Sequence, residues 1–288
     1  MRARVPASSA NLGPGFDALA IALNCYVQVD IEPAGGLSVH SEGEGAGLFD
    51  DASHLAVQVA KQVLGHDRIA VTVRSQIPVS RGLGSSAALA AAAAAAAGAD
   101  DPFTIAAAVD GHPENAAASV FGGLIAAATV DGQPRSVPLP LSDELAYVVM
   151  VPDRTLSTAD ARQVLPDQLS RTDATFNLGR MGLLLAGLAD PSLLMAAAAE
   201  DRIHQPARTA IFPEAPQLLS ALLTSGALAS CWSGAGSSLL GITTPAAAEG
   251  VQRGAEVALK DASLPGRVFL LQVDRRGLVY GDEAELPN

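Results

Sequence analysis

The sequence predicts an α+β protein of two domains, and three observations support this fold class. A strand signal, a glycine loop and an alanine-rich helix follow one another over residues 69–97. A polar, proline-rich connector lies at residues 131–142. Beyond it the signals run strand, helices, strand, strand, helix, strand, which is typical of an open α+β layer. With 288 residues the chain can form two ordinary domains, which we place at residues 1–143 and 144–288.

The glycine loop at residues 82–86 is predicted to bind phosphate. Alternating apolar residues over 69–77 indicate a strand, and Pro78 ends it because proline cannot donate to a ladder. Residues 87–97 are alanine except for Leu89, and this composition favours a helix. A loop in this place turns free N–H groups and the positive end of the helix dipole toward an anion. Its two serines can cap the helix and offer hydroxyls to phosphate or Mg²⁺.

Two better-known phosphate loops and one structural alternative compete with this prediction. A P-loop is excluded because no lysine follows these glycines. The dinucleotide pattern matches at Gly82, Gly84 and Ala87, but it needs a second strand that ends in an acidic residue. Asp100 and Asp101 instead follow the alanine helix directly. A serine–glycine cap on a core helix remains the alternative for the loop taken alone.

Composition and charge narrow the class of partner. The chain is 49% hydrophobic but only 4% aromatic, so alanine and valine must supply much of the packing. A formal net charge of -12 argues against nucleic acid and anionic membranes as partners. Cys25 and Cys231 lie outside any paired motif and fit reduced thiols. With no signal-peptide or membrane-span pattern, we expect a soluble cytoplasmic protein.

Apolar periodicity predicts the remaining elements, and one segment between them is expected to be irregular. That segment is 202–208, where Pro206 interrupts the helical pattern and leaves Arg208 in irregular structure. The predicted strands are 2–6, 25–32, an apolar strand after Gly122–Gly123, 145–151, 228–233, 239–243 and 267–274. The predicted helices are 52–64, 102–109, 113–121, 159–165, 178–188, 192–202, 215–223 and 244–259.

Polar side chains gather in a few loops of this apolar chain. Asn11 and Asp17 are the strongly polar residues of an irregular loop with two glycines and a proline. Residues 110–115 place Asp, His, Glu and Asn at a helix junction, and capping explains one or two of them but hardly four. Arg162 lies near a helix N-terminus, where the dipole disfavours a cation and an anionic ligand would compensate. A solvated face residue is the commoner explanation for one arginine.

Three separated glycine–serine loops resemble the motifs of the GHMP small-molecule kinases. Residues 6–23 resemble the first motif of that family, residues 78–88 its ATP-phosphate loop and residues 233–238 its third motif. The resemblance extends over nearly the whole chain. It implies an N-terminal α+β domain with a left-handed βαβ crossover, a ferredoxin-like C-terminal domain and an active site in the cleft between them.

The middle segments resemble one branch of this family, the homoserine kinases. The similar segments are GHPEN at 111–115, LSTADAR at 156–162 and DRIHQPAR at 201–208. The resemblance implies transfer of phosphate from ATP to the hydroxyl of L-homoserine, a step of threonine biosynthesis. Homodimers are common in the family, and the sequence shows no interface.

The resemblance also assigns roles around an amino-acid substrate. Guanidinium groups suit its carboxylate, and Arg162 and Arg208 are the arginines implied. Arg162 would also stabilise charge during transfer, and Asn11 would orient the hydroxyl; these two are the predicted catalytic residues. The implied substrate-binding residues are Asn11, Asp17, His112, Asn115, Thr158, Arg162, Arg208 and Gly234, with Asp17 and Asn115 facing the ammonium.

ATP and Mg²⁺ are the cofactors that the resemblance implies. The metal would be held by Ser85, Ser86 and Asp110. Members of the family commonly have glutamate at position 110 and aspartate at 114, whereas this chain has Asp110 and Glu114. His54 stands where the family often has asparagine near adenine. The implied nucleotide-binding residues are Pro78, Arg81, Gly82, Leu83, Gly84, Ser85, Ser86, Ala87 and Ala88.

Two other functions remain open at this point. A sister kinase acting on mevalonate, shikimate or a sugar could use the same arginines, since only Asp17 and Asn115 argue for an amino group. A metabolite-binding regulator that has lost turnover is a second alternative, supported by the exchange at positions 110 and 114. In-line attack of the hydroxyl on the γ-phosphate needs mainly alignment and charge neutralisation. The motifs place no carboxylate as a base, because Asp17 is assigned to the ammonium.

Overall fold

A computed structural model of the chain describes residues 1–287, which form two β-sheets covered by helices. The first sheet is mixed, with the strand order β11-β1-β2-β4-β3, and the long strand β2 also pairs at its start with β5, which pairs with β6. Its strands are β1 (Arg2–Ala10), β2 (Leu19–Pro33), β3 (Ser38–Gly43), β4 (Ile69–Ser75), β5 (Leu124–Val130), β6 (Gln133–Leu139) and β11 (Val279–Tyr280).

Four helices cover the first sheet, and the central one is almost pure alanine. They are α1 (Leu55–Leu64), α2 (Ser85–Ala96), α3 (Pro102–Asp110) and α4 (Pro113–Phe121). The alanines of α2 are buried in the main core, where their small side chains let the neighbouring elements approach closely. Helix α1 joins the parallel strands β3 and β4. The hand of this crossover stays a prediction.

The second sheet is antiparallel with the order β10-β7-β9-β8, and it has the β-α-β-β-α-β layout of a ferredoxin-like layer. Tyr147, Val149 and Val151 point into the core shared with the first sheet, while Val148 and Met150 pack under α8 and α9. The elements are β7 (Ala146–Pro152), α5 (Thr158–Gln163), α6 (Arg171–Ala189), α7 (Gln205–Arg208), α8 (Ala215–Thr224), β8 (Ala229–Trp232), β9 (Leu239–Thr243), α9 (Pro245–Asp261) and β10 (Gly266–Leu271).

Several predicted elements are wrong, each for a local reason. The connector at 131–142 contains β6, an edge strand with its prolines tolerated at the sheet margin. The predicted helix at 192–202 is instead a pair of 3₁₀ turns, Pro191–Leu193 and Ala196–Ala199. Residues 205–208 are not irregular but form α7, since proline is tolerated in a first helical turn. Strand β3 was missed because both of its faces are mostly exposed and carry no apolar alternation.

The chain end returns from the second sheet to the first. After β10, Val273 bridges to Leu23 and β11 pairs with β1. The buried Asp274 fixes this return, because its carboxylate accepts hydrogen bonds from Tyr26 Oη at 2.9 Å and from the amides of Arg276 and Gly277. The division at 143/144 stays a prediction, and the final strand of the chain lies in the first sheet.

Replacing Asp274 with alanine should lower the free energy of unfolding by about 3 kcal/mol, because three donors lose a buried acceptor. Asp261→Ala, at the exposed end of α9, serves as the control and should stay within about 0.5 kcal/mol of the wild type. Urea unfolding measures both. Equal stability of the two variants would contradict the role given to Asp274.

Candidate active site

The predicted phosphate loop lies at the N-terminus of α2. The expected serine cap is wrong: Gly84 is the N-cap, in the left-handed conformation at φ +65, and within residues 1–287 no side chain caps the helix. The first amides of α2 are therefore left for a ligand, together with the positive end of the helix dipole. A Cβ at Gly84 would overlap Ser8 Oγ and lie 3.0 Å from Asn115 Oδ1. Only glycine fits this N-cap.

A second glycine loop, between β8 and β9, is in backbone contact with the first. Ser233 Oγ donates to the Gly82 carbonyl at 2.7 Å, and Ser238 N donates to the Arg81 carbonyl at 3.0 Å. Gly82 has φ +77, and a Cβ there would overlap the Ser233 carbonyl and lie 2.7 Å from Gly236 N. The two halves of the chain thus meet through main-chain atoms beside the N-terminus of α2.

One cavity of about 210 Å³ lies where the loops meet, and it contains every predicted substrate residue. It is bounded by both halves of the chain. Its lining includes Asn11, Asp17, His112, Asn115, Thr158, Arg162, Arg208 and Gly234, together with Gly82, Gly84, Ser85, Ser86, Asp110 and Glu114.

A second cavity of similar volume adjoins the first, and both are lined by Ser80, Ser85 and Ser86. Its other walls are largely apolar, with Leu48 and Phe49 among them. His54 also lines it. His54 Nδ1 accepts the Ala56 N–H at 3.1 Å as the cap of α1, and burial lowers the pKa of its imidazole. The neutral ring therefore carries its proton on Nε2.

Five predicted nucleotide residues lie outside both linings within residues 1–287. Leu83, Ala87 and Ala88 are buried in the main core, and Pro78 is buried as well. Arg81 Nε donates to the Pro152 carbonyl at 3.1 Å. Their side chains support the loop, so any contact they make with a nucleotide runs through main-chain atoms.

Asp17 and Arg162 are bonded to each other across the cleft. Two hydrogen bonds of 2.6 and 3.1 Å join the guanidinium to the carboxylate, and each side chain is about one-third exposed. The sequence predicted them as separate partners of a substrate ammonium and carboxylate, whereas the structure pairs them directly. Such half-exposed pairs stabilise a protein by only about 0–1 kcal/mol. A charged ligand can therefore replace this pair at low cost.

Arg208 lies deeper than Arg162, with 1% exposure. Its Nη1 donates to the Gly234 carbonyl at 2.8 Å and to His204 Nδ1 at 2.9 Å, and its Nε donates to the Ala161 carbonyl. Burial, followed by repulsion from Arg162, lowers the pKa of Arg208 to about 10. The guanidinium stays charged at neutral pH, and within residues 1–287 its Nη2 has no hydrogen-bond partner. This free N–H group can donate to an anionic ligand.

The side chains of Asn11, Asn115 and His112 form hydrogen bonds within the wall of the cavity. Asn11, in the left-handed region at φ +72, donates to the Gly234 carbonyl at 2.9 Å and accepts from the Asp17 N–H at 3.0 Å. Asn115 Oδ1 accepts from Ser8 Oγ at 2.9 Å. His112 Nδ1 lies 3.1 Å from the Asp110 carbonyl. Both polar ends of Asn11 are engaged, so it fixes loop geometry in the free protein.

Glu114 is a site residue to which the sequence analysis gave no role. It is 3% exposed, lines the cavity, and within the described chain its Oε2 has no hydrogen-bond partner. Burial raises its pKa to about 7, and the nearby Asp17 and Asp110 add to that rise. Burial also raises the pKa of Asp110. The exchange of acid types at positions 110 and 114 was the signal that could have indicated it.

The side-chain oxygen atoms that line the first cavity are suitable ligands for Mg²⁺. The ion prefers hard oxygen donors and binds proteins through one or two carboxylates, with phosphates and water completing its shell. The carboxylates of Asp110 and Glu114 and the hydroxyls of Ser85 and Ser86 line the same cavity, and Glu114 Oε2 is a buried acceptor that lacks a donor in residues 1–287. Among those residues no group of three or more His, Cys, Asp and Glu side chains is placed to hold a metal. Such an all-protein cage is not what Mg²⁺ requires beside phosphates.

The fold and this site define a class of small-molecule kinase. The family model "GHMP kinases N terminal domain" matches residues 53–123, and "GHMP kinases C terminal" matches residues 184–258. The chain belongs to the GHMP kinase family, with its two-domain fold. No helix in the described part of the chain is long and apolar enough to cross a membrane.

Within the family, the similarity is to homoserine kinases. The chain is 41% identical to a homoserine kinase of Mycolicibacterium smegmatis, over 83% of each protein. It is 36% identical to that of Microchaete diplosiphon, over 95% of this chain and 94% of the relative. The crystal structure of homoserine kinase from Cytophaga hutchinsonii superposes with a TM-score of 0.84 at 26% identity, covering 97% of this chain and 96% of that one.

Because its pKa is raised by burial, Glu114 makes the free energy of unfolding depend on pH. Between pH 4.5 and pH 7 the native carboxyl holds its proton while the unfolded one releases it, so the free energy of unfolding falls as pH rises. The full effect is about 3 kcal/mol. Glu114→Gln carries no charge and should gain that much relative to the wild type between pH 4.5 and 8.5.

Urea unfolding across that range, without divalent ions, measures the difference. Glu256→Gln, at an exposed position of α9, is the matched control and should follow the wild-type curve. If the free energies of unfolding of the wild type and Glu114→Gln changed in parallel with pH, the raised pKa of Glu114 would be contradicted.

Proposed function

We propose that the protein transfers phosphate from ATP to the hydroxyl of L-homoserine, which gives O-phospho-L-homoserine for threonine biosynthesis. One observation carries the proposal: a single cavity joins the open N-terminus of α2 to Asp17, Arg162 and Arg208. An anion-binding helix end suits the phosphates, and the charged trio suits an amino acid. Relatives named homoserine kinase support the same substrate.

The nucleotide is proposed to occupy both cavities. Its phosphates lie on the amides of residues 82–86, at the serines where the two cavities join. Its base lies in the apolar second cavity, and His54 Nε2–H is the donor offered to a ring nitrogen there. A histidine that caps α1 with one nitrogen can still donate with the other, which accounts for histidine at a position where the family often has asparagine.

The amino acid is proposed to replace the ion pair between Asp17 and Arg162. Its ammonium takes the carboxylate of Asp17, and its carboxylate takes Arg162 and the free Nη2 of Arg208. A zwitterion gives both Asp17 and Arg162 a new partner, whereas an acceptor with a single charge leaves one of them unpaired. This exchange favours amino acids over mevalonate, shikimate and sugars, because an acceptor that lacks one of the two charges leaves Asp17 or Arg162 without a partner.

Mg²⁺ would be held by Ser85 or Ser86 and by the carboxylates of Asp110 and Glu114. When bound, it neutralises the oxygens of the β- and γ-phosphates. The protein's own contribution is alignment: the α2 amides hold the phosphates while the charged trio holds the acceptor for in-line attack. Arg162 adds charge stabilisation as the bond to the leaving oxygen breaks. The hydroxyl proton leaves to phosphate or water, because Asp17 is engaged by the ammonium.

Asp17→Asn should raise the KM for homoserine by about tenfold or more and leave kcat within about tenfold, since it removes the ammonium's partner. Steady-state kinetics at saturating ATP measures both constants. Asp167→Asn, at an exposed position, is the control and should match the wild type. Loss of turnover with homoserine bound as tightly as before would make Asp17 the base and contradict its assignment.

The function is tested by incubating the protein with ATP, Mg²⁺ and a panel of acceptors, and detecting products by ³¹P NMR. We expect O-phospho-L-homoserine, and no comparable product from mevalonate, shikimate or sugars. Preference for one of those acceptors would favour the sister-kinase alternative. Absence of any Mg²⁺-dependent product would favour the regulator. The cytoplasmic location and a homodimer stay predictions.

A further inference from the structure

His204 is a completely buried histidine beside the substrate cavity, and it does not line that cavity within residues 1–287. Its Nε2 lies 2.8 Å from the Gly13 carbonyl, and its Nδ1 lies 2.9 Å from Arg208 Nη1. A carbonyl can only accept and a guanidinium can only donate. The ring is therefore neutral, with its proton on Nε2 and its lone pair on Nδ1 directed at Arg208.

The backbone around His204 is fixed by a buried carboxylate. Asp201 accepts hydrogen bonds from the amides of residues 203, 204 and 205, at 3.0, 2.8 and 2.7 Å. Asn177 Nδ2 donates to the same carboxylate at 2.6 Å. Burial lowers the pKa of His204 to about 4, although Asp201 acts in the opposite direction. The imidazole stays neutral throughout the neutral pH range.

The ring also supports both substrate arginines through Phe16. The His204 and Phe16 rings are stacked, with centroids 5.1 Å apart and planes 24° apart. Arg162 and Arg208 lie over the ring of Phe16, at 5.5 and 5.7 Å from its centroid. Two guanidiniums this close repel each other, so a neutral partner that accepts a hydrogen bond suits the site better than a third cation.

We infer that His204 is a positioning residue: as the neutral Nε2–H tautomer, it fixes the guanidinium of Arg208 for the substrate carboxylate without touching the substrate. The inference rests on the proposed function and adds a specificity-determining residue to it. We expect the effect of His204 to be largest for ligands that carry a carboxylate, because its direct hydrogen bond is to Arg208. Among residues 1–287 it makes no hydrogen bond to Asp17 or to the loop at residues 82–86.

The test compares two substitutions that each keep one end of the imidazole. His204→Gln can still reach the Gly13 carbonyl with its amide but offers no acceptor at the Nδ1 position. His204→Asn places its amide oxygen near the Nδ1 position and can accept from Arg208. His66→Gln, at an exposed position, is the matched control. Thermal unfolding establishes that each variant is folded before its kinetics are measured.

We expect His204→Gln to raise the KM for homoserine by about tenfold, with kcat and the KM for ATP within about twofold. His204→Asn should recover most of this loss. Competing ligands supply a second readout: the inhibition constant of L-2-aminobutyrate, which keeps the carboxylate, should rise with the KM. That of 3-aminopropan-1-ol, homoserine without its carboxylate, should not change.

Equal weakening of both inhibitors, or an unchanged KM in His204→Gln, would overturn the positioning role. A readout on the wild type needs no variant: ¹⁵N NMR of the His204 ring between pH 6 and 8 should show the neutral Nε2–H form. An Nδ1–H form or an imidazolium would overturn the inference even if the variants fail to fold. If the wild-type protein does not phosphorylate homoserine, the proposed function itself is refuted. If the wild type is active and His204→Gln leaves the KM for homoserine unchanged, only this inference is refuted.

Discussion

Main-chain contact between two glycine loops is the constraint on which the site depends. Gly82 precedes α2, Gly234 follows β8, and a Cβ on Gly234 would lie 2.9 Å from the Gly82 carbonyl. This approach brings the open helix end of one half of the chain next to the arginines of the other. The Gly234 carbonyl then accepts hydrogen bonds from Asn11 and Arg208, so the same loop also fixes the amino-acid side of the cavity.

Charge is distributed to match this geometry. The chain carries a formal charge of -12, yet its cavity holds two guanidiniums over one aromatic ring. Asp17 neutralises one of them in the free protein, and this pair contributes little stability because it is one-third exposed to water, which suits the proposed exchange with a zwitterion. Arg208 has no carboxylate on it among residues 1–287, and carbonyls and a neutral imidazole hold it instead. The proposed selectivity for amino acids rests on this difference: within residues 1–287 of the free protein, Arg162 is paired with a carboxylate and Arg208 is not.

Local signals predicted the elements that position the site, and long-range contacts set the rest. The strand, glycine loop and alanine helix were predictable because periodicity and propensity act within a dozen residues. Strand β6 was not predictable, because its prolines are also typical of a connector between domains. Motif resemblance placed the cavity residues, but no local pattern could show that Asp17 pairs with Arg162, 145 positions away, or that burial raises the pKa of Glu114 to about 7. The serine cap of α2 failed because the contact with Ser8 and Asn115 selects glycine at position 84.

The central claim is that backbone contact at Gly82 places the phosphate-binding amides beside the arginines. It is tested most directly by the rate of phosphoryl transfer in Gly82→Ala compared with Gly65→Ala. Both glycines have left-handed backbones, at φ +77 and +75, but a Cβ at Gly65 meets open space whereas one at Gly82 meets the second loop. We expect Gly82→Ala to lower kcat/KM by about a hundredfold, equivalent to about 3 kcal/mol, in a folded protein, while Gly65→Ala stays close to the wild type. Wild-type transfer in Gly82→Ala would contradict the central claim.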